Sequence, residues 1–195
     1  MTTSLAGLAC LWAGRLDIAL RTGQWMQRLY EAQPDLAQGL YFVWDSQAGL
    51  VTHFPETEAT AFCVDVHKTT QWYFEYGIAA AFLASLCGAT RDRRWLELAQ
   101  KFLRASKACR DDVYRQPQSG KIGWGAAWTY RLSGDPEDRQ LVEAVAAGLH
   151  ALQSPEGWWS SLNVYDYKQA KNIESNIDVT NEFVGLLGCM ELVLR

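Results

Sequence analysis

Apolar and polar positions along the chain form a unit that is written out twice between Thr69 and Gly134. Each copy has an aromatic, Gly/Ala-rich run, then a tight break, then an amphipathic charged run. The first opens at Gln71-Trp72-Tyr73-Phe74-Glu75-Tyr76-Gly77, continues to Gly88, breaks over Ala89–Asp92 and resumes from Trp95 to Leu103. The second starts at Gly123, passes Trp124, Trp128 and Tyr130 to Gly134, breaks at Asp135-Pro136 and resumes from Leu141 to Leu149. The marking glycines stand eleven positions apart in both copies. Two helical patterns joined by a tight break and repeated at about 45 residues predict stacked αα-hairpins.

The flanks fit the same unit. Thr3 to Ala13 is apolar and ends at Gly14, and Leu16 to Gln33 is amphipathic before Pro34 stops it. Residues 35–68 are too long for a hairpin connection and hold two loosely alternating runs, Leu40–Trp44 and Leu50–Phe54, that are expected to pair as short strands. Thr69 or Thr70 is the expected cap of the next helix and Asp92 of its partner. Asp135 as N-cap, Pro136 at the first helical position and Glu137 and Asp138 in the first turn write the clearest helix start in the chain. A polar stretch leads to Asp178, and a last helix is expected from about Asn181 to Leu194, making seven helices in all.

Every tight break joins a Gly/Ala/aromatic helix to a charged one, and every long loop leads into the N-terminus of a Gly/Ala/aromatic helix. Long loops therefore share one face, where a rigid scaffold usually carries its site. The small-residue helices are expected inside and the charged ones outside.

Composition narrows the picture. A hydrophobic content of 49% with nine tryptophans excludes a disordered or fibrous chain. The net charge of -4, spread without a basic block, gives no nucleic-acid footprint. Five scattered cysteines (Cys10, Cys63, Cys87, Cys109, Cys189) predict reduced, packed thiols and a cytoplasmic location. Ser4 to Ala13 has neither the basic leader of a secretory signal nor the length of a membrane span.

The segment Gln153-Ser-Pro-Glu-Gly157-Trp158-Trp159 matches a Q-x-x-x-G-x-W motif at the end of an outer helix. In this motif and in its hairpins the chain resembles the terpene cyclases and the protein prenyltransferase β subunits, which share a toroidal α/α barrel. The resemblance implies an all-α fold, an incomplete α/α toroid formed by a single domain over residues 1–195 that corresponds to about half a barrel or to a fragment of one. It also implies an aromatic-lined cup for an apolar substrate. The motif covers only seven residues. The acid motif D-x-D-D is absent, and Asp111-Asp112-Val-Tyr-Arg115 starts like a D-D-x-x-D diphosphate motif but places Arg at the last acidic position.

Several clusters carry candidate chemistry. In Cys63-Val-Asp65-Val-His67 three metal-ligand types alternate, so an extended segment turns them to one face, where a zinc ion is one occupant and a buried thiol beside a loop Asp–His pair is the plainer one. Asp65 with His67 is also a candidate acid–base pair, the carboxylate holding the imidazole in one tautomer. Asp178, Asn181 and Glu182 occupy the matching place before the last helix, where Asp178 or Thr180 also serves as a cap. Glu75 in an apolar helix is a candidate general acid or one half of an ion pair with Lys121. Trp72, Tyr73, Tyr76, Trp124 and Trp128 are substrate-facing candidates as well as core residues, because Trp72/Tyr76 and Trp124/Trp128 stand four apart on a helix face.

These features predict a cyclase or isomerase of specialised metabolism that binds a terpenoid- or polyketide-like molecule and works by shape and proton transfer, without a cofactor. Two other classes remain open: a carbohydrate-active α/α-barrel enzyme (glycoside hydrolase, lyase or epimerase), which needs two carboxylates in one cavity, and a non-catalytic binding or assembly domain. An open edge of the array is expected to be covered by a second copy or a partner.

Overall fold

The computed structural model describes residues 2–160 and 173–195. It is mostly helical, with seven α-helices among those residues: α1 (Thr2–Trp12), α2 (Leu16–Glu31), α3 (Phe74–Thr90), α4 (Arg93–Ala105), α5 (Gly120–Ser133), α6 (Pro136–Ala151) and α7 (Ile173–Leu194). The helix breaks follow the chemistry at each joint. Asp92 and Asp135 accept the backbone N–H of Arg94 and Glu137 as N-caps, and Gly134 ends α5 with a φ of 67°. Thr69 and Thr70 do not cap α3, which starts after Tyr73 without a side-chain cap. Thr70 has a left-handed backbone, φ 59°, and its N–H donates to the Asp112 carboxylate instead.

The Gly/Ala/aromatic helices pack in succession, α1 on α3, α3 on α5 and α5 on α7, while α2, α4 and α6 fold back against them. Residue numbers rise together across each of these contacts. Ser4 and Ala79 line one small cavity; Gly7 meets Phe82; Gly77 meets Lys121; and Gly125 meets Ala80. Gly120 meets Phe183, while Trp128 lies beside Cys189 and Leu192. The four helices are therefore parallel. The central contact requires glycine. A Cβ on Gly77 would stand 2.0 Å from the Lys121 carbonyl oxygen, and one on Gly125 would stand 2.4 Å from the Gly77 carbonyl oxygen. Backbone meets backbone there, which is why α3 is buried along most of its length and the core centres on Tyr76, Phe82, Trp95 and Phe102.

An ion network fastens α4 to the α5–α6 turn. Arg104 reaches Asp135 at 2.6 Å, Glu137 at 2.8 Å and the fully buried Asp138 at 2.6 Å. Gln100 and Ser133 also donate to Asp138.

Residues 39–65 hold the four short strands seen among the described residues; the 40–44 and 50–54 runs do meet, with Trp44 opposite Leu50, but only at their ends, and the rest of the pairing corrects the sequence reading. Strand β1 (Gly39–Tyr41) pairs antiparallel not with the 50–54 run but with β4 (Cys63–Asp65), in the register Leu40 opposite Val64. Strands β2 (Trp44–Asp45) and β3 (Gly49–Leu50) form a separate tight hairpin. Leu40 and Val64 are both buried, so alternation makes them the ribbon's inner face and turns Tyr41, Cys63 and Asp65 to the other side. The last helix also starts earlier than its pattern suggests, at Ile173. No helix among the described residues is long and apolar enough to cross a membrane.

Candidate functional site

The outer face of the β1–β4 ribbon forms one wall of a cleft of about 530 Å³. Tyr41, Cys63 and Asp65 come from the ribbon, His67, Lys68 and Gln71 from the segment after β4, and Phe54, Glu56 and Thr60 from the segment before it. As the alternation predicts, Cys63, Asp65 and His67 line one space. Their partners are not the expected ones. Asp65 accepts the backbone N–H of His67 at 2.9 Å and pairs with Lys68 at 3.6 Å, while its own N–H donates to the Gln71 side chain at 3.1 Å. The His67 imidazole is held by Gln38, whose Oε1 lies 3.0 Å from Nε2. The contact fixes the orientation of the ring through Nε2 and turns Nδ1 away from Gln38. Asp65 thus shapes the turn, and Gln38 orients the ring.

The cleft is polar with an aromatic flank. Phe54 lies between Phe62, 5.0 Å away and stacked, and Tyr41, 6.1 Å away. Burial and the neighbouring Asp65 push the Cys63 thiol up to about 12, so it is neither a ready nucleophile nor a ready metal ligand. Among the described residues no three His, Cys, Asp or Glu side chains stand close enough to hold a metal ion. The zinc expectation for Cys63, Asp65 and His67 fails on this geometry: the thiol is buried and protonated, and Gln38 holds the His67 ring.

The other candidate residues lie elsewhere. Glu75 is buried under the ribbon's inner face, in a space of about 30 Å³ shared with Ser4, Met26, Leu40 and Phe42, and burial raises its pKa. It makes no ion pair with Lys121, which pairs with Glu182 and lies 5.9 Å from the Phe74 ring centroid. Tyr73 and Tyr76 are core residues with no exposure. Tyr73 donates to Asp112 at 3.0 Å, and the Tyr76 hydroxyl accepts from the Cys109 thiol at 3.7 Å. Trp72 is partly exposed and stacks with Phe42 at 6.2 Å and Phe74 at 5.6 Å, so its neighbours are aromatic rather than the cleft. Trp124 and Trp128 are half-buried on α5, and Trp128 lines a different space of about 80 Å³ beside α7. Asp178 and Asn181 are exposed on α7, and neither lines the cleft. Thr180 caps nothing, since α7 already runs through it; its Oγ1 accepts the Trp159 N–H at 3.0 Å.

Two sequence motifs receive structural roles. Asp112 accepts from Thr70, Tyr73 and Gln116, tying the loop after α4 to the segment before α3. In the 153–159 motif the Gln153 side chain donates to the Gly157 carbonyl at 2.9 Å and closes its own loop, while the Trp159 indole N–H donates to Leu149 near the end of α6 at 2.7 Å. The sequence reading misses Gln38, Tyr41, Phe54, Glu56 and Lys68 as cleft residues. The available signal is the long polar stretch between α2 and α3, whose strand pairing brings residues 38–41 beside 63–67. Family models, curated proteins and solved structures give no match to this chain.

Proposed function

We propose that the cleft beside the β1–β4 ribbon binds a polar, hydroxyl-rich small molecule of the carbohydrate class, and that the protein acts on it by proton transfer as an epimerase, lyase or hydrolase does. The observation that carries this reading is the meeting of Asp65, His67, Lys68 and Glu56 with the rings of Tyr41 and Phe54 in one space of about 530 Å³. Aromatic side chains take the apolar face of a sugar ring while carboxylate, imidazole, ammonium and amide groups satisfy its hydroxyls. His67 Nδ1 is the base in this scheme, with Gln38 fixing the ring. Lys68 counters negative charge that develops on the ligand. The cyclase reading keeps the acid–base residues Asp65 and His67. Of its aromatic part, neither Trp72 nor Trp124 lines the cleft and Trp128 lines a separate space of about 80 Å³, which favours the polar ligand over a terpenoid.

The test is titration of purified protein with a panel of neutral and acidic sugars, followed by calorimetry and by assay of turnover, alongside His67→Ala and Asp65→Asn. His67→Ala is expected to lower turnover roughly 10²- to 10⁴-fold, and Asp65→Asn, which loosens the turn that carries His67, to lower it less, both with the far-ultraviolet dichroism unchanged. Wild-type rates in both variants, or binding of apolar terpenoids in place of sugars, overturns the reading. We infer two further properties. Five free cysteines support a cytoplasmic location, and the apolar exposure of the end helices supports self-association.

A further inference from the structure

Nine large apolar side chains are exposed among the described residues, and five of them lie on the two end helices. On α1 these are Leu5 and Trp12, and on α7 they are Ile177, Val184 and Leu192, with Trp12 75% and Leu192 73% exposed. The α1 sequence carries no charged residue at all. A helix at the end of a stack that faced water throughout would alternate charged with apolar positions. The outer side of α7 is bare in a second sense, because among the described residues no atom stands within 4 Å of where a Cβ would sit on Gly185 or Gly188. Between α3 and α5 the chain uses glycines of this kind to bring two backbones together.

Next to that bare side lies an apolar hollow of about 80 Å³, lined by Ala127, Trp128 and Arg131 of α5 and by Cys189, Leu192 and Val193 of α7. The Arg131 guanidinium lies 5.7 Å from the Trp128 ring centroid. Both sets of residues belong to the C-terminal ends of their helices. Trp12 is the last residue of α1. Since α1, α5 and α7 are parallel, a second copy placed beside α7 in the same orientation brings its Trp12 to the level of the hollow. We propose that copies of this chain associate head to tail, α1 of one on the bare face of α7 of the next, with Trp12 seated between Trp128, Arg131 and Leu192. The occupant suits the hollow. An uncharged helix loses no ionic hydration on docking. A tryptophan ring fits an apolar recess with an arginine at its edge. The contact joins two different surfaces, so it extends to a ring or a filament rather than closing at two copies.

This inference rests on the self-association stated above, and the two are separable by experiment. Sedimentation velocity of the wild-type chain over a wide concentration range is expected to show association. Trp12→Ala is expected to weaken it roughly 30-fold or more. For the docking mode, Ala9→Cys is placed in a Cys10→Ser background, one turn before Trp12 on α1, and treated with a short bis-maleimide. Cross-links to the native Cys189 of a neighbouring copy are expected, giving a ladder beyond the dimer that Cys189→Ser removes. A monomer at every concentration overturns self-association and this docking with it. An oligomer that Trp12→Ala leaves intact, or one cross-linked only through paired Cys189 residues, overturns the head-to-tail contact alone.

Discussion

A carboxyl group sealed under the ribbon behaves unlike those that face water. Glu75 is buried, and burial raises its pKa, so over the range between the ordinary carboxylate value and the raised one the folded chain holds a proton that the unfolded chain has released. Stability from this residue is complete below the ordinary value and is lost as pH rises through the raised one. Urea unfolding from pH 4 to 8 is expected to show wild type losing stability relative to Glu75→Gln over that range; parallel curves would contradict it. Glu75 also shows the limit of reading single residues. Its burial is legible from the apolar text around it, whereas its separation from His67 is not, because a ribbon whose strands lie more than twenty positions apart stands between them. Asp112 gives the same lesson. In sequence it begins an incomplete diphosphate motif, and in the fold it receives Thr70, Tyr73 and Gln116.

At the scale of elements, what is local is readable. Asp92, Asp135 and Pro136 act where their positions place them, since a cap works on an N–H only two residues away. Strand pairing depends on distant partners, and the alternation of residues 40–54 does not encode which run β1 will choose. The joint between α4 and the α5–α6 turn is also nonlocal, and Arg104 carries it. Arg104→Ala leaves the buried Asp138 without its guanidinium. The change is expected to cost about 3 kcal/mol, read as a shift of the urea midpoint at constant slope. A loss below about 1 kcal/mol would mean that Gln100 and Ser133 suffice to hold the carboxylate.

At the scale of the molecule the repeat is the most legible feature, because the same spacing of glycines and the same break appear twice and each copy becomes one hairpin. The cleft is the least legible, because it is assembled outside the repeat, from the stretch between the first and second hairpins. The succession α1, α3, α5, α7 has one further consequence, for cooperativity. In a chain of elements where each central helix leans mainly on its immediate neighbours, folding free energy is close to a sum of nearest-neighbour terms, as in a one-dimensional lattice, and a domain wall between ordered and melted units enters most easily from an end. Hydrogen exchange is expected to record this as a gradient, with amides of α3 and α5 protected to nearly the global unfolding limit and those of α1 opening first. Uniform protection from α1 to α7 would instead mean that the array melts as a single block, its ends bound to the centre as tightly as its middle.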